Sequence, residues 1–224
     1  MEVLVTGGDT ELGRTIAQGY RDGGHRVVIT GARRHDLEVA AKELDIDCVV
    51  CDSTDPDSLA EAVPLLPLHL DSIVNVPAPV YCPGDPRAYT LAERAVAWRV
   101  NLDATVLSAV LMVNAIADHL HSGGSIVSIV AENPAPGSAQ ASVKAALSAW
   151  TAGQAPFFGT RGITINTVAS GRGAESGYEG LATGVPASGD DEIARLTMFL
   201  TSPAARHITG ATLHASHGAL AGWS

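Results

Sequence analysis

Residues 1–13 read MEVLVTGGDTELG, and the fold of the chain follows from this stretch. Val3, Leu4 and Val5 form a short apolar run that is typical of a buried strand. A glycine-bearing turn follows and leads into a segment with helical periodicity. Strand, glycine turn and helix together bind dinucleotides, because backbone N–H groups and the positive end of the helix dipole face a pyrophosphate. The stretch therefore predicts the first unit of a dinucleotide-binding fold.

The remainder of the chain alternates strand-like and helix-like segments. Further strands are predicted at 26–30, 47–51, 72–75, 125–130, 163–168 and 211–215. Helices are predicted at 35–44, from Asp55-Pro56 onward, and at 91–119, 137–150 and 191–200. The alternation predicts an α/β fold, a doubly wound parallel sheet in a single domain over residues 1–224. The ligand site of such a sheet lies at the carboxyl ends of its strands.

Composition narrows the classes of function. The 224 residues carry a formal net charge of −10, and 46% of them are hydrophobic. These values predict a globular chain and argue against binding to nucleic acid or to an anionic membrane. The sequence has no apolar run near the ~18 residues that span a bilayer and no signal-peptide pattern. We therefore expect a cytoplasmic protein.

Cys48 and Cys51 form a CxxC pair, a pattern that elsewhere indicates redox or zinc chemistry. Here the pair flanks two valines in a predicted strand, and residues i and i+3 of a strand face opposite sides. The sequence has no second CxxC to complete a zinc site. The eight histidines also lack the spacing of metal ligands. We predict core cysteines and no metal site.

The first turn resembles the TGxxxGxG fingerprint of the short-chain dehydrogenase/reductase family. Thr6, Gly7 and Gly13 match three of its fixed positions, whereas Glu11 stands in place of the middle glycine. The resemblance implies sheet order 3-2-1-4-5-6-7, a nicotinamide dinucleotide cofactor, and a homodimer or homotetramer formed through the long helix 91–119 and the C-terminal region. It implies that the turn contacts the cofactor through Thr6, Gly7, Gly8, Glu11 and Leu12.

Later segments resemble the same family over essentially the whole chain. Asp52 resembles the aspartate that contacts the adenine, and Asn75 the first residue of the NNAG segment. Asn101 resembles the helix asparagine of the proton relay, and Lys144 the lysine of YxxxKAAL, which also contacts the cofactor. Gly171 lies in the loop near the nicotinamide, where Ser170 replaces the usual proline. Further matches occur at 124–127, 162–166 and 209–210.

The catalytic positions depart from the family. Gln140, four residues before Lys144, stands in place of the tyrosine that exchanges the substrate proton. Ala131 stands in place of the serine that hydrogen-bonds the substrate carbonyl. An amide does not exchange protons near neutral pH, and an alanine side chain has no hydrogen-bond donor. Since general acid–base catalysis contributes about 10²–10⁴-fold, we expect ordinary carbonyl reduction to be strongly impaired.

Other residues offer a replacement acid. Tyr178 follows the sixth strand, in the loop that covers the substrate in this family. Tyr81 lies in the proline-rich loop after the fourth strand, and Glu132 adjoins the lost serine position. Each is explained more simply as an ordinary loop residue, and His214 and His217 are explained as surface residues.

Glu11 bears on cofactor binding. It places a side chain and a negative charge where a glycine lets the backbone approach the pyrophosphate. Two like charges ~4 Å apart repel by ~4 kcal/mol at an effective dielectric near 20. The carboxylate either occupies the anion site at the helix N-terminus or points to solvent while the turn relaxes. Val76-Pro77-Ala78, in place of NAG, is a further departure near the nicotinamide.

Arg33 and Arg34 follow the second strand, where an acidic residue would bind the ribose 2′-hydroxyl of NAD. Two basic residues there suit the 2′-phosphate of NADP. The alternative is a pair of solvated arginines at a helix start.

Two functions are therefore expected. The first is a degenerate family member that lacks standard carbonyl reductase activity. It binds a dinucleotide weakly or not at all, or binds something else as a structural or regulatory partner. The second is an NADP(H)-dependent oxidoreductase with a non-standard proton donor, either Tyr178 or a water held by Lys144. The sequence identifies no substrate.

Overall fold

The computed structural model describes residues 1–81, 88–130, 138–170 and 189–215. The strands are β1 (Glu2–Val5), β2 (Arg26–Gly31), β3 (Asp47–Val50), β4 (Leu70–Asn75), β5 (Leu120–Val130), β6 (Thr164–Ser170) and β7 (Thr212–Ala215). They form one seven-stranded sheet in the order β3-β2-β1-β4-β5-β6-β7, with every pairing parallel. The predicted fold class and strand order are confirmed.

Helices cover both faces of the sheet. They are α1 (Glu11–Asp22), α2 (Arg34–Leu44), α3 (Pro56–Ala62), α4 (Leu91–Leu102), α5 (Ser108–Ile116), α6 (Ala139–Gly159) and α7 (Asp190–Leu200). One core cluster joins α1, α2 and α7 to the sheet, and a second joins α3, α5 and the end of α6 to the opposite face. Because all connections cross from one strand end to the other, the carboxyl ends of the strands share one edge.

Strand alternation distributes side chains between the two cores. Val3 and Val5 enter the first cluster and Leu4 the second. Cys48 packs against the first cluster, whereas Cys51, just beyond β3, is buried in the second. Burial raises the pKa of the Cys51 thiol to about 11. Both cysteines are free thiols, in agreement with the predicted core role.

The long helix predicted over 91–119 is not uniform. A π-helical turn, Asp103–Leu107, separates α4 from α5, and a 3₁₀ turn, Ala117–His119, follows α5. Such π turns insert one residue into a helix and occur frequently at functional sites. This turn begins two residues after Asn101, so it sets how that residue and the rest of α4 face the sheet edge.

The helix α6 continues past its predicted end at Trp150 to Gly159, although Pro156 lies inside it. Phe158 near its end is buried in the second core cluster. The gain from burying this aromatic side chain outweighs the local helix-breaking signals of glycine and proline.

The segment Leu91–His119 has the length and apolar composition of a membrane-spanning helix, which corrects the expectation that no apolar run approaches that size. However, Met112, Val113 and Ile116 of α5 are buried against the sheet. A core helix of an α/β domain passes the same test of length and composition, and α5 has that role here.

The helix α4 differs from α5 in its exposure. Only Asn101 is buried in α4, whereas Leu91 is 87% and Val96 is 56% exposed. Within one chain, α5 therefore packs on the sheet and α4 leaves its apolar side chains uncovered. Its exposed apolar face is available for the subunit contact that the family resemblance implies, which stays a prediction.

Candidate functional site

A cleft of about 690 Å³ opens at the carboxyl ends of the strands. Its first half is formed by the glycine turn and the starts of α1, α2 and α7, with Asp9, Glu11, Arg14, Arg33, Asp36 and Asp190 in its wall. Its second half includes the segment after β4, the end of β5 and the walls of α4 and α6, with Asn101, Thr105, Val130, Gln140 and Val143. Among the described lining residues, every ionisable side chain belongs to the first half.

The glycine turn has the geometry that close approach of a phosphate requires. Gly7 has a φ of 64°, and a Cβ there would lie 2.7 Å from the carbonyl oxygen of Val76. A Cβ at Gly13 would lie 2.0 Å from the carbonyl oxygen of Gly7. The Thr6 hydroxyl accepts a hydrogen bond from the Val76 N–H at 2.9 Å and fastens the turn to the end of β4. These positions admit only glycine, as the fingerprint predicted.

The start of α1 faces the cleft. Thr10 caps the helix, because its hydroxyl accepts from the Gly13 N–H at 3.1 Å and donates to the Gly7 carbonyl at 2.7 Å. The N–H groups of Glu11 and Leu12 have no partner within the helix, and both residues line the cleft. This is the donor set that binds a pyrophosphate. A nicotinamide dinucleotide therefore fits the turn and the helix end, apart from the Glu11 side chain.

Comparison with known proteins agrees with this geometry. A family model described as enoyl-(acyl carrier protein) reductase matches residues 9–219. The chain belongs to the short-chain dehydrogenase/reductase family. This family generally binds nicotinamide cofactors.

A Mycobacterium tuberculosis protein named "Putative oxidoreductase Rv1856c" is 68% identical to this family member over 221 residues, 99% of each chain. The short-chain dehydrogenase/reductase from Serratia marcescens is similar in structure, with TM-score 0.79, 26% identity and 97% of each chain covered. An oxidoreductase of the family from Burkholderia thailandensis has TM-score 0.78 and 25% identity, over 99% of this chain and 93% of that one.

Glu11 is exposed at the first turn of α1. Of the two arrangements considered for it, this fits the carboxylate that points to solvent. It still acts on its surroundings, since the pKa of Asp190 is raised first by burial and then by the negative charges of Glu11 and Asp191. The dinucleotide end of the cleft thus has an acidic mouth, where Glu11 and Asp190 repel each other.

The two arginines after β2 have different surroundings. Arg34 pairs with Glu38 at 3.1 Å on the exposed face of α2 and does not line the cleft. Arg33 lines the cleft, but its Nε lies 3.0 Å from Oδ2 of Asp9 and its Nη1 lies 3.0 Å from Oδ2 of Asp36. The predicted pair of phosphate ligands is therefore reduced to Arg33, whose guanidinium already has two carboxylate partners.

Two other predicted cofactor residues are engaged within the fold. The Asp52 carboxylate accepts from the N–H and the hydroxyl of Thr54, at 2.9 and 2.7 Å, and does not line the cleft. Asn75 is buried between β4 and β5, and its amide nitrogen donates to the Ser128 hydroxyl at 3.3 Å. Its Oδ1 has no partner among the described residues. Their roles toward the cofactor stay predictions.

The second half of the cleft brings together part of the predicted relay. Asn101 is buried, and its side chain donates to the carbonyl oxygen of Ala97 at 2.8 Å. Gln140 lines the cleft in the first turn of α6. Lys144 follows one turn later on the same side of α6, partly buried, and burial lowers its pKa. Asn101 and Gln140 thus line the same half of the cleft, and Lys144 lies one turn further along α6.

Several predicted residues lie outside the described part of the chain. These are Ala131, Glu132, Gly171, Tyr178 and His217. Among the described residues, no group of three or more histidine, cysteine or acidic side chains forms a metal site.

Sequence reasoning missed one residue of the site. Asp9 lines the cleft and holds Arg33, and no local sequence pattern marks it. His214 is exposed, as predicted, and does not line the cleft. The parallel pairing of β6 and β7 places it beside Ala169, and burial and then the charge of Lys144 lower the pKa of its imidazole.

Proposed function

We propose that this short-chain dehydrogenase/reductase binds a nicotinamide dinucleotide in its cleft, with affinity reduced by Glu11, and lacks the tyrosine-dependent carbonyl reduction of its family. The observation that carries the proposal is Gln140 in the cleft wall that Asn101 also lines, one helical turn before Lys144. Neither its amide nor any other described lining residue of that half can deliver a proton near neutral pH.

The fit of the cofactor supports the binding half of this proposal. When bound, a nicotinamide dinucleotide supplies or accepts a hydride. Thr10, Gly7 and Gly13 shape the turn, and the free N–H groups at the start of α1 would hold the pyrophosphate. Lys144 would contact the ribose next to the nicotinamide, and Asn101 would order the wall behind it. We expect a cytoplasmic protein that forms homodimers or homotetramers through the exposed face of α4.

Titration of the purified full chain with NADH and NADPH, followed by calorimetry at moderate salt, tests the proposal. We expect Kd values weaker than micromolar, and no turnover of simple ketones or β-ketoacyl thioesters above the uncatalysed rate. Binding of neither cofactor at millimolar concentration contradicts the binding half. Turnover of such substrates at rates usual for enzymes, about 1–10³ s⁻¹, contradicts the catalytic half.

A second candidate is an NAD(P)H-dependent oxidoreductase with a non-standard proton donor. The observation that favours it is Lys144, which lies one turn after Gln140 on α6 and whose pKa is lowered by burial. A water held by Lys144 would then supply the proton that the tyrosine supplies elsewhere in the family. The predicted donor Tyr178 remains a further alternative.

If this second candidate is right, Lys144→Ala should lower any detected turnover at least about tenfold, since general acid–base catalysis contributes at least that much. Lys42, the other lysine of the chain, is exposed on α2 and outside the cleft. Lys42→Ala therefore serves as the matched control and should leave turnover unchanged. Steady-state rates with NADH and NADPH measure both variants. Equal rates for Lys144→Ala and wild type would rule this candidate out.

A further inference from the structure

Asp9 occupies an unusual place for a residue of the glycine turn. A Cβ on Gly31, the last residue of β2, would lie 2.5 Å from Oδ1 of Asp9. The Asp9 carboxylate therefore fills the space of a side chain at the end of β2. In dinucleotide-binding folds an acidic side chain at that place hydrogen-bonds the ribose 2′-hydroxyl of NAD.

The same carboxylate holds Arg33. Oδ2 of Asp9 accepts from the Arg33 backbone N–H at 3.1 Å and from its Nε at 3.0 Å, and Nη2 of Arg33 donates to the Asp9 carbonyl oxygen. The Asp9 side chain is 8% exposed, whereas that of Arg33 is 54% exposed. Arg33 is thus the charge partner of a nearly buried carboxylate.

We propose that Asp9 is a specificity-determining residue, which retains Arg33 and presents a carboxylate to the adenosine ribose so that the cleft selects NAD(H) over NADP(H). This inference rests on the proposed function. A 2′-phosphate would carry about −1.5 to −2 charges, by analogy with other phosphate monoesters. It would lie near the carboxylates of Asp9 and Asp36, and recruiting Arg33 would leave Asp9 buried without its partner, which is costly.

Arg14 is the other cation among the described residues that line this half of the cleft. Its Nη2 donates to the Asp36 carbonyl oxygen at 2.9 Å, and its Nε is buried without a partner among the described residues. The Arg14 guanidinium is therefore bound to the backbone at the start of α2. The described lining residues of this half include two arginines, three aspartates and one glutamate, so it has no net positive charge to attract a 2′-phosphate.

The test compares two cofactors that differ by one phosphate. Calorimetry on the full chain should give a Kd for NADH at least about tenfold lower than for NADPH. Asp9→Asn keeps the side-chain shape and removes the charge. In this variant the ratio of the Kd for NADPH to the Kd for NADH should fall by about tenfold or more, the effect of one charge-assisted hydrogen bond. Asp36→Asn is the matched control, because it leaves Arg33 held by Asp9, and its ratio should change less. The melting temperature of each variant checks its folding.

Arg33→Ala provides a second measurement if Asp9→Asn does not fold. The preference for NADH should persist in it, because the carboxylate of Asp9 remains. The inference would be overturned if the wild type preferred NADPH and Arg33→Ala removed that preference. It would also be overturned if Asp9→Asn left the ratio of the two Kd values unchanged. In both cases dinucleotides still bind and the proposed function stands. Binding of neither cofactor, in wild type and in Glu11→Gly, instead contradicts the proposed function, and the role of Asp9 falls with it.

Discussion

Replacing Gln140 by tyrosine and Ala131 by serine together should raise the turnover of simple ketones by about 10²–10⁴-fold, the usual contribution of general acid–base catalysis. Gln140 already lines the cleft, and Lys144 lies one turn later on the same side of α6. A tyrosine at 140 would therefore stand next to a partly buried cation. That charge favours the phenolate and lowers the pKa of the tyrosine from its ordinary value near ~10.

The turnover added by the two substitutions should show a pH dependence that the wild type lacks. In the reduction direction the neutral phenol donates the proton, so the rate should fall as pH rises through the lowered pKa of the new tyrosine. Gln140→Phe with Ala131→Ser is the matched control, since it adds the ring without the hydroxyl, and it should gain nothing. Initial rates with NADH, measured from pH 6 to 10 on a panel of ketones, make the comparison. A control as active as the tyrosine variant would show that the relay is not what the site lacks.

The glycine turn was predictable from sequence because most of its constraints are local. Gly13 is required by its contact with Gly7 in the same turn, and Thr10 caps the helix that it precedes. Gly7 is required by its contact with Val76, just beyond β4, and was found through its place in the fingerprint. The strand order followed from the family resemblance, which covers the whole chain. Lys144 and Gln140 were likewise found from the resemblance to the family's YxxxKAAL motif, and one helical turn separates them in α6.

The remaining features depend on contacts between distant segments. Asp9 and Arg33 form an ion pair because the first turn lies over the end of β2, and no sequence pattern in either segment predicts this pair. The two adjacent arginines suggested one phosphate site, but the helix turns Arg34 toward Glu38 on its outer face. The π-helical turn after α4 is similarly invisible to hydrophobic periodicity, since the residues around it are all compatible with an ordinary helix.

Replacing Glu11 by glycine should tighten the binding of both dinucleotides by about 10–100-fold. A phosphate charge ~4 Å from a carboxylate is repelled by ~1 kcal/mol in water and by ~4 kcal/mol at an effective dielectric near 20. Because Glu11 is exposed, we expect a value between these limits, roughly 1.4–2.8 kcal/mol, which corresponds to that change in Kd. The substitution should also lower the pKa of Asp190, since the negative charge of Glu11 is one of the causes that raise it.

Two variants separate charge from shape in this result. Glu11→Gln removes the charge and keeps the side chain, so it should recover most of the gain if repulsion is the cause. Glu61→Gln removes an exposed acid from α3, outside the cleft, and should change Kd by less than about twofold, since distant surface charges are screened. Both position-11 variants should lose a little thermal stability, because an acid in the first turn favours the helix dipole by ~0.3–1 kcal/mol. If charge repulsion is the cause, the gain in dinucleotide affinity should also become smaller at high salt, because salt screens exposed charges. Salt-independent tightening in Glu11→Gly, without tightening in Glu11→Gln, would instead mean that the Glu11 side chain blocks the pyrophosphate by its volume.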